Sequence, residues 1–207
     1  MQENEEMKNQ EEKEKSSRKT LIAILLVTIL VISVISLSFA TFQQENKNDG
    51  SNSISTGNIS MNYTESLNGI SIVNAMPTSD AVGKILKGKG EYFDFTINST
   101  IVGNASLQYE IAAIKDVNST IPNTDMKLYL EQQISGTYES VMEPTVFTPI
   151  SNKSAVGSPA GSMILKTVTK NTTSTDNYRL RMWIKEDAQI IEGQRYTVRV
   201  NVYGKAL

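Results

Sequence analysis

The chain has 207 residues, 20 Lys and Arg against 22 Asp and Glu for a net charge of −2, and neither Cys nor His. Balanced, scattered charge excludes a dedicated nucleic-acid surface. The two missing residue types exclude disulfide bracing, a Ser-His or Cys-His nucleophile and an ordinary zinc site.

Residues 1–19 form a charged tail with Lys8, Lys13, Lys15, Arg18 and Lys19, too poor in apolar side chains to build a core. Residues 20–42 follow, a stretch without a single charge whose polar interruptions are Ser and Thr hydroxyls, which can bond back to helix carbonyls. As a helix this stretch is about 35 Å long, against about 30 Å of bilayer hydrocarbon, and it reads as a membrane span held in lipid. Basic residues crowd its front edge while only Lys47 follows closely behind, so the tail is expected in the cytoplasm and the remainder outside the cell membrane. Length favours a retained anchor. The small-x-small ending Ser38-Phe39-Ala40 fits signal-peptidase cleavage after Ala40, which gives a secreted form, and both fates stay open.

Residues 43–55 are polar and carry Asp49-Gly50, a flexible linker by composition, and the folded domain is expected over 56–207. From there the apolar pattern has period two. Strands are expected at 58–64, 91–98, 106–115, 125–132, 177–185 and 194–203, with weaker candidates at 69–74, 145–148 and 163–169. The one window that admits a short helix is 79–86. Turn formers such as Asn68-Gly69 and Val102-Gly103-Asn104 separate the strands. Short strands with one apolar face each describe an all-β antiparallel β-sandwich, jelly-roll or immunoglobulin-like, preceded by one transmembrane helix.

Few residues invite chemistry. Asp116, Asn118 and Asp125 are oxygen donors for calcium, but they lack the Asp-x-Asp-x-Asp-Gly spacing and suit Asx turns. Glu186-Asp187 are adjacent and point to opposite faces of a strand, which suits a solvated loop better than an acid and base pair. Asn-x-Ser/Thr triplets recur in a chain rich in all three residues. A Lys to Asn isopeptide bond is another brace open to a domain without Cys. No catalytic, cofactor or metal residue is assigned. The candidate partner contact is Trp183 with Arg179 and Arg181: if Tyr178, Leu180, Met182 and Ile184 face inward, these three point outward. The competing reading buries Trp183 under a loop.

The junction Ser38-Phe39-Ala40-Thr41-Phe42, the polar spacer and then Thr56-Gly57-Asn58-Ile59-Ser60-Met61 resemble the start of camelysin and TasA-like exported proteins of Gram-positive Firmicutes. Asn74-Ala75-Met76-Pro77-Thr78-Ser79-Asp80 and Tyr178-Arg179-Leu180-Arg181-Met182-Trp183-Ile184 are similar to segments of exported Firmicutes proteins with that layout. The resemblance implies a jelly-roll surface protein, in some relatives a subunit of matrix fibres. Thr41 stands where that family has Tyr, and the charged tail is longer. Camelysin-like proteins are classed as metallopeptidases, but His-Glu-x-x-His is absent here, so no such activity is carried over.

The expected function is a membrane-anchored bacterial cell-surface protein with a non-catalytic structural or adhesive ectodomain that self-associates or meets a surface partner. After cleavage, residues 43–64 are free to add as a strand to a neighbouring subunit. The alternative is a ligand- or calcium-binding ectodomain, or a hydrolase of unknown substrate.

Overall fold

The chain divides into two units, Met1–Ala40 and Thr41–Leu207. A computed structural model describes residues 51–56, 59–65, 69–88 and 92–207, all within the second. In chain order these form β1 (Ser51–Thr56), β2 (Ile59–Glu65), β3 (Ile70–Val73), the single-turn helix α1 (Asp80–Gly83), β4 (Tyr92–Ile101), β5 (Leu107–Lys115), β6 (Met126–Ile134), β7 (Thr137–Val146), β8 (Ser162–Lys170), β9 (Ser174–Ile184) and β10 (Arg195–Ala206). Two sheets result, one ordered β1-β2-β4-β9-β6-β7 and the other β3-β10-β5-β8. Every pair of neighbouring strands is antiparallel.

Alternation sets the inner faces. Phe93, Phe95 and Ile97 of β4 and Tyr178, Leu180 and Met182 of β9 are buried in one cluster with Tyr109, Ile111, Val198 and Val200 of the other sheet, giving one sandwich-like core. Aromatic rings bind the six-stranded sheet across its strands. Phe95 lies opposite Tyr178 in register, their rings stacked at 5.4 Å, and Tyr63 meets Phe95 edge-on at 5.7 Å. Such pairs contribute about 0.5–1.5 kcal/mol beyond the area they bury.

Two turns explain local choices. β6 and β7 are joined by Ser135 and Gly136, both with positive φ (51° and 87°), the two-residue hairpin turn whose twist matches that of the strands. Gly69 (φ 127°) leads into β3 where a Cβ would lie 2.4 Å from the Val198 carbonyl oxygen of β10, so only Gly permits the close approach.

The chain departs from its period-two reading at the sheet edges. Residues 51–55, expected in the linker, belong to β1, which pairs with β2 from Ser51↔Thr64 to Thr56↔Ile59. An edge strand is held by backbone hydrogen bonds and accepts a polar sequence, so composition does not announce it. Because β2 is itself clasped between β1 and β4, residues 59–64 are not a free segment. At the other edge, β7 spans Thr137–Val146, earlier and longer than the expected 145–148. It contains Pro144, which an edge strand tolerates. The expected tail (1–19), span (20–42) and linker residues 43–50 lie outside the described residues. Among those described, no helix is long and apolar enough to cross a membrane.

Candidate functional site

The expected contact residues do share the outer face of the six-stranded sheet. On β9, Arg179 lies opposite Asp94 of β4, and its Nε and Nη2 donate to Oδ1 and Oδ2 at 2.7 Å each. The planar guanidinium also lies over two rings, 4.3 Å from the Tyr92 centroid and 4.2 Å from that of Tyr138. The hydrogen bonds it donates to Asp94 hold the Arg179 guanidinium even more firmly protonated than usual, and burial pushes the Tyr138 hydroxyl up.

Arg181, 5% exposed, donates from Nε to Glu131 Oε2 of β6 at 2.8 Å and from Nη1 to the Leu86 carbonyl. Both charges are buried, so each depends on the other for compensation.

Trp183 is 2% exposed, so of its two readings the buried one holds and the solvent-facing contact is corrected. Its outer side is covered by α1, whose Gly83 sits so close that an added Cβ would fall 2.3 Å from indole Cδ2 and Cε2. Tyr129 meets it edge-on at 6.4 Å. The helix is pinned there by Asp80, which accepts two 2.8 Å hydrogen bonds from Lys127 Nζ of β6, and by the Thr78 N–H, which donates to the Ile184 carbonyl at 2.9 Å. The indole Nε1–H has no hydrogen-bond partner.

Beside this cover lies a cleft of about 380 Å³ that the sequence reading missed. β3 supplies Ser71, Ile72 and Val73, the following loop supplies Ala75, Met76 and Thr78, and Leu86 and β9 residues Met182, Trp183 and Ile184 complete the lining. Its rim exposes Val73 (57%) and Met76 (81%). Asn74 turns the chain here with φ 53°, a conformation Asn adopts more readily than most residues.

The acidic candidates do not converge. Asp116 Oδ1 accepts hydrogen bonds from the Asn118 backbone N–H (2.9 Å) and side chain (3.0 Å), which hold its carboxyl below the usual range, while Asp125 lies near Lys185. Glu186 and Asp187 are exposed. Among the described residues no three acidic side chains form a metal cage. Ser38 and Ala40 lie outside the described residues.

No family model and no curated protein matches the chain. Among solved structures it is similar to AvmM, titled as catalysing macrocyclization in alchivemycin A biosynthesis. That likeness is 14% in identity, covers 72% of this chain and 89% of that one, and has a TM-score of 0.30. A likeness of that size carries neither fold detail nor reaction. The site therefore rests on its own geometry: two engaged arginines, a covered Trp183 and a cleft without charged side chains.

Two polar clusters elsewhere serve the fold. Asp176, 7% exposed, accepts from Lys170 Nζ (2.9 Å), Ser174 Oγ (3.0 Å) and Gln132 Nε2 (3.1 Å), beside the 2.9 Å contact between the Tyr109 and Tyr178 hydroxyls that joins the two sheets. Glu110, 5% exposed on β5, accepts from Ser154 Oγ (2.5 Å) and Ser158 Oγ (2.6 Å) and so fastens the segment before β8.

Proposed function

We propose that the chain is a membrane-anchored bacterial cell-surface protein of the camelysin and TasA-like kind, its amino end in the cytoplasm and its β domain, a jelly-roll or immunoglobulin-like sandwich, outside. The ectodomain is structural or adhesive rather than catalytic. One observation carries the reading: a charge-free stretch at residues 20–42 directly behind Arg18-Lys19, ahead of a domain without Cys. The all-β fold with two antiparallel sheets supports it. The ion pairs of Arg179 and Arg181 support a face built for rigidity.

Self-association belongs at the sheet edges, where β1 and β7 each have one strand neighbour among the described residues. The amino terminus of protein recovered from cells tests the anchor. Met1 found in the membrane fraction means a tethered module, and Thr41 found in the medium means release after Ala40. Intact chain in the soluble cytosol would contradict both.

A further inference from the structure

We infer that the cleft beside Trp183 is a binding site for a small, neutral, amphipathic molecule with a hydrogen-bond acceptor, such as a ketone or ester carbonyl, to which the indole Nε1–H donates. Three observations meet there. The lining has no charged side chain, so neither a carboxylate nor an ammonium finds a counter-ion. Apolar Val73 and Met76 stand exposed at the rim, and Ile72, Leu86, Met182 and Ile184 are among the lining residues. The exposed lining is about as polar as it is apolar, which suits an amphipathic occupant, and Ser71 Oγ is already engaged with Thr197 Oγ1 at 2.8 Å.

The third observation selects the acceptor. Buried polar atoms in folded proteins are almost always paired. Among the described residues only Ser99 Oγ and Trp183 Nε1 are buried side-chain polar atoms without a partner, and of the two only Trp183 lines the cleft. Nε1 is closed to water, so solvent does not satisfy it. A ligand reaches it by pushing aside rim side chains, of which Met76 is 81% exposed. It thereby pairs a donor that the empty protein leaves unmade. At about 380 Å³ the cleft is near the small end of ligand pockets, suited to a short chain or a single ring.

The inference is independent of the surface-protein reading. The sequence holds one Trp, so the indole N–H resonance in proton NMR has a single source. Purified full-length protein is titrated with hexyl methyl ketone, with the isostere in which C=CH₂ replaces C=O, and with heptanoate. The expected result is a saturable downfield shift of the indole N–H with the ketone, binding of the isostere about tenfold weaker, the worth of one hydrogen bond, and binding of heptanoate at least tenfold weaker, because its charge loses water without a counter-ion. No saturable shift, or equal affinity for ketone and isostere, overturns the proposal. Ala75→Phe fills the cleft while keeping the reporter. A variant that melts as the parent does and has lost the ketone response supports the site, and one that binds unchanged overturns it. Trp183→Phe, measured by calorimetry, is expected to bind ketone and isostere equally, and a surviving preference for the ketone assigns the donor elsewhere and overturns it as well.

Discussion

Arg179 and Asp94 face each other across the β4–β9 pair, with two 2.7 Å hydrogen bonds between them and the rings of Tyr92 and Tyr138 within 4.3 Å of the guanidinium. Only an arginine supplies both the fork and the flat stacking surface. Arg179→Lys keeps the charge and loses both. With Asp94 36% exposed, solvent screens part of the pair, and a loss of about 1 kcal/mol is expected in urea unfolding. Unchanged stability would mean that charge alone matters at this position.

Gly83 has no room for a methyl group. Alanine in a helical turn normally gains about 0.5–1 kcal/mol over glycine, but here the Cβ meets the middle of a buried indole, which cannot swing away as a flexible chain end does. Gly83→Ala is expected to destabilise by about 1–3 kcal/mol net. It should also shift the emission of Trp183 to the red as α1 lifts and water enters. A stabilised variant with unchanged emission would show that the helix is not seated on the ring.

Alkaline pH should melt the domain through its buried tyrosines. Burial pushes the Tyr178 hydroxyl from 10.0 up to about 12, with the Asp176 charge adding to the effect and the Tyr109 hydrogen bond opposing it; burial also raises Tyr109 and Tyr196. A raised folded value means that the neutral phenol is favoured in the native state. Its contribution is therefore complete below the unfolded value of 10.0 and is lost as pH rises toward about 12. The melting temperature is expected to be insensitive to these groups below that window and to fall steeply through it. Tyr178→Phe should make the fall shallower.

The segment before β8 is held by one carboxylate. Ser154 Oγ donates to Glu110 and accepts from the backbone N–H groups of Val156 (3.3 Å), Gly157 (3.0 Å) and Ser158 (2.9 Å), whereas Ser158 Oγ makes only its bond to Glu110. Ser158→Ala should cost about 1–3 kcal/mol, the penalty for withdrawing a donor from a buried charged acceptor. Ser154→Ala should cost more. Amide exchange at residues 156–158 reads the difference, and faster exchange in the Ser158 variant than in the Ser154 variant would reverse the assignment.

Where a strand has one dry face, its sequence shows it: Phe93, Phe95 and Ile97 mark β4, and Tyr196, Val198, Val200 and Val202 mark β10, because a period of two has no other way to bury every second side chain. The polar β1 and the Pro-containing β7 escape that logic, since both are edges held by the backbone. The outward direction of Arg179, Arg181 and Trp183 was legible for the same reason. Burial of Trp183 was one of the two readings that its size allowed, but its cover was not legible, because that depends on α1 folding back onto the sheet through Asp80 and Lys127, residues 47 apart. The cleft likewise forms where β3 and β9, on different sheets, come together around a loop, and a local pattern holds no record of such a meeting.

The central claim is that residues 20–42 place the β domain outside the cell and the charged tail inside. Labelling intact cells with a membrane-impermeant amine reagent and mapping the modified lysines tests it most directly. Modification at Lys166 and Lys205 with Lys8 protected until the cells are opened is the predicted result. Lys8 modified on intact cells while Lys166 and Lys205 remain protected would contradict it.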